Sequence, residues 1–221
     1  MLAQCGLGGR GQPQLPPRGG GLRRTELDGA AERVNRLLAG AHTLGVPTAS
    51  HDDDSPQRIA AMHALGVRMS EFPINLETAQ AAATHRLPTI LGAPNVLRGK
   101  SQSGSMRAID AIHARVGNIL CSDYQPSTLI AAAFAAARQA DLPLNEALAL
   151  VSANPADACL LDDRGRLLPG KRADVIAVAS VAGQPLVTHT WSAGRLVFAA
   201  GYPAVQARPA PAPHGALQAV A

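Results

Sequence analysis

Residues 46–66, VPTASHDDDSPQRIAAMHALG, read as a short strand running through a polar turn into a capped helix. Pro47 opens the strand and His51 closes it. Ser55 followed by Pro56 has the form of an N-cap with proline in the first helical position. Ile59, Met62 and Leu65 share one helical face, and Gly66 ends the helix. The pattern recurs downstream. VRMSEFPI (67–74) leads to Asn75 and a helix through Ala83, with Glu77 in its first turn. PTILGAP (88–94) leads to a glycine- and serine-rich loop, NVLRGKSQSGS (95–105), and then a helix over Met106–Val116. NILCSDY (118–124) leads to helices over Ser127–Ala140 and Leu144–Ser152. Upstream, Ala30, Val34, Leu37, Leu38, Ala41 and Leu44 mark a helix over Glu26–Gly45. Four strand-then-helix units in succession predict right-handed crossovers and a parallel sheet.

The flanks differ in kind. GRLLPGKRADVIAVAS (165–180) and PLVTHTWSAGRLVFAAG (185–201) alternate apolar and polar residues, which predicts antiparallel strands joined by a turn containing Gly183 and Pro185. Residues 1–24 are rich in glycine, proline and arginine and read as a flexible leader, and residues 204–221 read as a Pro/Ala-rich tail. The organisation expected is therefore leader 1–24, α/β region 25–160, β-strands 161–203 and tail 204–221.

Composition supports this and narrows function. In 221 residues, aromatic side chains make up 3% and the hydrophobic set 47%, which suits helices on a parallel sheet better than a sandwich of aromatic pairs. The net charge is +4, but the arginines are scattered, without the basic stripe of a nucleic-acid surface. Cys5, Cys121 and Cys159 are odd in number and lack CxxC spacing, so they read as reduced thiols of a cytoplasmic protein. No apolar run reaches the roughly 20 residues of a membrane span, and the first residues carry no signal-peptide pattern.

His51, Glu71, Asn95 and Asp123 all fall at the C-terminal ends of the expected strands, the rim where α/β folds bind ligands. A neutral imidazole at His51 suits a divalent ion, and carboxylates at Asp52 and Asp53 can orient the ring; the same aspartates also suit a helix cap. Asp123 can bind a metal, accept a proton from a metal-bound water, or cap the next helix. GAPNVLRGKSQSG resembles an anion cradle, with Arg98 and Lys100 able to meet phosphate oxygens, though it is not a P-loop. Glu71 at a strand end needs either a partner or a role. His42, His63, His85, His113, His189 and His214 read as surface or packing residues.

ASHDD (49–53), EFP (71–73), GAPNVLRGKS (92–101), SDYQPSTLIAAAF (122–134), NPA (154–156) and DRGRLLPGKRADVIAV (163–178) occur in that order. Together they resemble the phosphonate-metabolism branch of the amidohydrolase superfamily, the α-D-ribose 1-methylphosphonate 5-triphosphate diphosphatases. The resemblance runs from about Glu26 to Gly201. It implies the C-terminal half of a TIM-like (β/α)8 barrel, with about four βα units, and part of a small β-sandwich. It further implies a divalent metal, zinc or manganese, held by His51 and Asp123, with Asp123 also catalytic. Asn95, Arg98 and Lys100 would hold substrate, and Asp52, Asp53 and Glu71 would stand behind the ligands. The substrate implied is a small phosphorylated sugar phosphonate, hydrolysed between its α and β phosphates to leave pyrophosphate. Nucleic acid and membrane are not implied partners.

Two departures bear on activity. No HxH pair, the superfamily's first-strand metal motif, occurs in the sequence. The family's SHxGN loop reads Ser101-Gln102-Ser103-Gly104-Ser105, with Gln102 for histidine and Ser105 for asparagine. A chain lacking the first four strands is expected to be inactive alone and to expose two sheet edges. Self-association or binding of a separate N-terminal half follows from that. A deaminase or cyclic-amide hydrolase on the same barrel, or a non-catalytic remnant, are the competing readings.

Overall fold

The computed structural model describes residues 24–101 and 104–201. The expected leader and tail, along with Cys5, Gln102 and His214, lie outside those residues, apart from Arg24. The chain divides into two compact units at Leu37–Leu38, within helix α1 (Arg24–Thr43). The second unit holds every strand and the remaining helices.

Its centre is a four-stranded parallel sheet in sequence order: β1 (Ala49–His51), β2 (Met69–Glu71), β3 (Thr89–Gly92) and β4 (Ile119–Cys121). The strands are shorter than the apolar runs suggest. Pro47, Pro73, Pro88 and Pro94 bracket them, and proline cannot donate to a ladder. Ser50 pairs with Ser70, and Ser70 with Thr89; His51 pairs with Glu71, Glu71 with Ile90, and Ile90 with Ile119. Alternation then places Ser50, Ser70, Leu91 and Leu120 on one face and His51, Glu71, Ile90 and Cys121 on the other.

Helices α2 (Pro56–Ala64) and α3 (Leu76–Thr84) begin where expected. The Ser55 hydroxyl accepts from the Arg58 N–H at 3.3 Å, and the Asn75 carboxamide oxygen from the Thr78 N–H at 2.8 Å. Leu65 departs from the inward-facing expectation. It is the C-cap residue of α2 and is exposed. The segment after β3 also departs, since helix α4 (Ala93–Arg98) replaces the first part of the expected loop. Pro94 in its first turn is preorganised for a helix, and Gly99, at φ 67°, closes it in the left-handed conformation. Helix α5 (Ala108–His113) and helix α6 (Thr128–Gln139) follow, the latter after β4. The helix expected at Leu144–Ser152 is the shorter α7 (Leu144–Ala149), and a helix not expected from the sequence, α8 (Ala153–Ala158), follows the non-helical backbone of Ser152.

The core lies on the Leu91–Leu120 face of the sheet. Leu91, Val96, Ile112, Leu120 and Leu150 pack there with fully buried alanines from α3, α5, α6 and α7. Alanine at these positions lets helices approach the sheet closely, which explains the composition. Gly117 shows how little room remains. A Cβ there would stand 2.7 Å from a Leu91 methyl and 3.0 Å from the Ile112 backbone nitrogen. Gly117→Ala is expected to cost about 1–3 kcal/mol by overpacking. Urea denaturation of the purified variant checks it, and an unchanged midpoint would contradict this packing.

The sheet edges differ from each other. The outward N–H of Leu120 donates to the Leu150 carbonyl at 2.8 Å, and the Asn154 Nδ2 donates to the Asn118 carbonyl at 2.7 Å. The α7–α8 segment therefore occupies the β4 edge, correcting the expectation of two open edges. β1 and β4 are the outer strands of this sheet, and neither has a further strand partner among the described residues.

Three antiparallel strands complete the second unit: β5 (Val175–Val181), β6 (Gln184–Ser192) and β7 (Arg195–Ala199). Both hairpins turn on two residues with positive φ, Ala182-Gly183 at 51° and 78° and Ala193-Gly194 at 50° and 76°. These are the signs a type I′ turn needs, and that turn matches the strand twist. Pro185, expected in the turn, lies within β6 opposite Ser180. The lost N–H is tolerated because β7 pairs only with His189–Ser192.

Candidate functional site

The register aligns His51 with Glu71 at the C-terminal ends of β1 and β2, and Gly92 with Cys121 at those of β3 and β4. Immediately beyond, the backbone enters an unusual conformation three times. Asp52, Phe72 and Asp123 have φ of 54°, 53° and 52°. Elsewhere such values have ordinary causes. Arg86, Arg115, Asp141 and Leu160 each follow a helix C-cap, and Ala182 and Ala193 form hairpin turns. Asp123 sits in a turn closed by the Gln125 N–H donating to the Ser122 carbonyl at 2.9 Å, but Asp52 and Phe72 have neither cause, and a left-handed L-residue costs roughly 1–2 kcal/mol. Strain of this kind concentrates where side chains are aimed at a ligand.

All three line one cleft of about 130 Å³, with Gly92, Asn95, Arg98 and Ser105 among the other walls. Hydrogen bonds hold the strained turns. Asp52 N–H donates to the Glu71 carbonyl at 2.9 Å, and Phe72 N–H to the Ile90 carbonyl at 3.0 Å. Gly92 makes room at the centre. Its missing Cβ would stand 3.7 Å from both the Asp123 carboxylate and the Phe72 ring. Those two side chains therefore lean over the end of β3.

His51 is oriented from two sides. Its Nδ1 lies 3.1 Å from the Asp52 carboxylate, and its ring meets Phe72 edge-on with centroids 5.2 Å apart. A carboxylate at Nδ1 favours the proton there, which leaves the Nε2 lone pair for a metal. Asp123 is exposed to solvent at the cleft mouth. Cys121, which sequence reasoning took as an ordinary thiol, belongs to the same neighbourhood. Burial pushes its pKa up, the Asp123 backbone N–H acts against that, and the Glu71 and Asp123 carboxylates add to the rise. Its alternation with Ile119 on the His51 face was the available signal.

Arg98 ends α4, where its Nη1 donates to the Tyr124 hydroxyl at 2.9 Å. Tyr124 was not singled out from sequence. Lys100 is exposed one residue past Gly99. Asn95 borders the cleft, but its amide is engaged within the fold. It donates to the Met106 carbonyl at 3.1 Å and accepts from the Ala108 N–H at 3.0 Å, bracing α4 against the start of α5. Contact with substrate through this side chain would require breaking those bonds. Asp53 lies on the other side of the sheet from His51. Its carboxylate is fully buried and accepts from the Ser50 and Ser70 hydroxyls at 2.5 and 2.6 Å.

The nitrogen and carboxylate donors at this rim suit a divalent ion. They supply part of a coordination sphere only. No three His, Cys, Asp or Glu side chains among the described residues are placed to share one ion.

The chain matches the amidohydrolase family over residues 25–197. It is 38% identical over 155 residues to the alpha-D-ribose 1-methylphosphonate 5-triphosphate diphosphatase of Escherichia coli (strain K12), covering 69% of this chain and 41% of that protein. It is 30% identical over 185 residues to the imidazolonepropionase of Deinococcus deserti (strain DSM 17065 / CIP 109153 / LMG 22923 / VCD115), covering 76% of this chain and 46% of that one. Its fold superposes on ochratoxinase from A. niger with a TM-score of 0.58 at 19% identity, over 77% of this chain and 46% of the other. The chain thus spans less than half the length of each. A parallel α/β sheet in sequence order, a cleft at its C-terminal rim and a match across most of the length agree: the chain belongs to the amidohydrolase family.

Proposed function

We propose that this chain forms the substrate-facing half of a metal-dependent hydrolase that cleaves α-D-ribose 1-methylphosphonate 5-triphosphate to the 5-phosphate and pyrophosphate. The observation that carries this reading is the cleft in which Asp123 and Arg98 face one space, with Arg98 steadied by Tyr124. The 38% identity to a diphosphatase of that substrate supports it. Water adds to one phosphorus of the α–β anhydride, the bridging P–O bond breaks, and pyrophosphate leaves. Asp123 accepts the proton of the attacking water. Arg98 and Lys100 meet the charge of the polyphosphate, where a guanidinium can bond two oxygens at once. Asn95 keeps α4, and so Arg98, in place. His51 and Asp123 would hold the divalent ion, with Asp52 orienting the imidazole; that ion supplies Lewis acidity at the phosphate.

With two such ligands, and three plus water usual for catalytic zinc, the chain alone is expected to bind zinc or manganese no tighter than about micromolar. Calorimetric titration reads this directly, and His51→Ala should abolish the signal. Tight binding that survives His51→Ala would remove His51 from the site. The activity itself is tested by pyrophosphate release from the ribose triphosphate, with and without an added polypeptide bearing the HxH half. Release is expected only in its presence. The 30% identity to imidazolonepropionase favours a second reading, a cyclic-amide hydrolase. Ring opening of a cyclic amide by the same mixture, without pyrophosphate release, would establish that alternative.

A further inference from the structure

At the opposite end of the sheet, the N-terminal ends of β2, β3 and β4 and helix α8 enclose a second cleft of about 370 Å³. Arg68 stands one residue before β2, Arg86 and Pro88 lead into β3, and Asn118 precedes β4; Asn154 and Asp157 face them from α8. The strands are parallel, so this cleft is remote from the rim that carries His51 and Asp123.

Its charge is unbalanced. Arg58, Arg107, Arg115, Arg164, Arg166 and Arg172 each pair with a carboxylate. The guanidinium groups of Arg68 and Arg86 have no hydrogen-bond or ion-pair partner among the described residues, although both line one cleft. The carboxylate in the wall, Asp157, is taken by Arg166 through two hydrogen bonds of 2.6 Å. Two guanidiniums thus share a concave space without a counter-charge, an arrangement that an anion relieves. The neutral groups are placed to help. The Asn118 carboxamide oxygen is fixed by the Thr89 N–H at 3.0 Å, so its Nδ2 is the end left to donate. Asn154 spends its Nδ2 on the Asn118 carbonyl, which leaves its oxygen to accept from a hydroxyl.

We propose that this cleft is a binding site for a phosphate-type oxyanion, with Arg68 and Arg86 as its cationic jaws and Asn118 as a neutral donor. Guanidinium geometry matches the paired oxygens of a phosphate, and the volume exceeds what one phosphate needs, so a phosphorylated small molecule fits as well as the free ion.

The test is calorimetric titration at low ionic strength with inorganic phosphate and, separately, ribose 5-phosphate. An Arg98→Gln background removes the guanidinium of the catalytic cleft. Binding of either probe is expected, and the Arg68→Gln/Arg86→Gln double substitution should weaken it about tenfold or more, the loss of at least one charge-assisted hydrogen bond. Tighter binding of the ester names a phosphorylated metabolite as the source, and equal binding names free phosphate. Both side chains are exposed and unbonded, so the double variant should melt as the parent does, with only the parent gaining stability from the probe. Failure of both probes to bind at millimolar concentration, or undiminished binding by the double variant, would overturn the proposal.

Discussion

Replacing Asp53 by alanine should lower the unfolding free energy by about 3–5 kcal/mol, the loss that follows when one member of a buried charged network is removed. Against a typical domain stability of roughly 5–15 kcal/mol, that is enough to leave the fold marginal. The carboxylate is fully buried between β1, β2 and α2. One oxygen receives both serine hydroxyls, and the other has no hydrogen-bond partner and stands 3.5 Å from the Arg58 Nε. Alanine would strand two hydroxyls and leave Arg58 without its counter-charge. Asp53→Asn keeps the shape and an acceptor oxygen, so it should cost less, about 1–3 kcal/mol. Urea unfolding of both variants, read with an unchanged m-value, orders them. A loss under about 1 kcal/mol for the alanine variant would mean that the serines find other partners and Asp53 is not the tie.

Features governed by a few neighbouring residues were legible in the sequence. The Ser55-Pro56 and Asn75 caps, the four βα units and the alternating strands depend on chemistry within four or five positions, and the structure shows each. Helix α4 was hidden because Gly99 and the serines after it read as loop, although Pro94 and Gly99 are also a helix's start and stop signals. Asp53 was misleading for a different reason. Beside His51 in an Asp run it resembles a ligand's neighbour, and only the pairing of β1 with β2 brings Ser70, distant in sequence, under its carboxylate. The left-handed backbone at Asp52, Phe72 and Asp123 has no sequence signature, since aspartate adopts it only sometimes and phenylalanine rarely. The Arg68–Arg86 cleft likewise needed the parallel register to bring two separate strand starts together.

The same backbone makes Asp123→Asn the sharpest probe of the proposed chemistry. At φ 52° most substitutions would add strain, but asparagine tolerates the left-handed region as well as aspartate does. Asp123 is exposed, so its stability contribution is small, and the variant should melt with the parent. What it loses is chemical. A carboxamide cannot accept the proton of an attacking water, and it is a poor metal ligand. General-base catalysis contributes about 10²–10⁴-fold, so kcat for pyrophosphate release should fall by at least that range once the chain is joined to an HxH-bearing N-terminal half. The Michaelis constant should move little, because the phosphate contacts proposed for Arg98 and Lys100 are left in place. Arg98→Gln should show the reverse split, a raised Michaelis constant with a smaller fall in kcat, and Tyr124→Phe should follow it more weakly through the lost 2.9 Å hydrogen bond. Should Asp123→Asn keep turnover within about tenfold of the parent, the proton goes elsewhere. Glu71, aligned with His51 on the same face, is then the carboxylate to replace next.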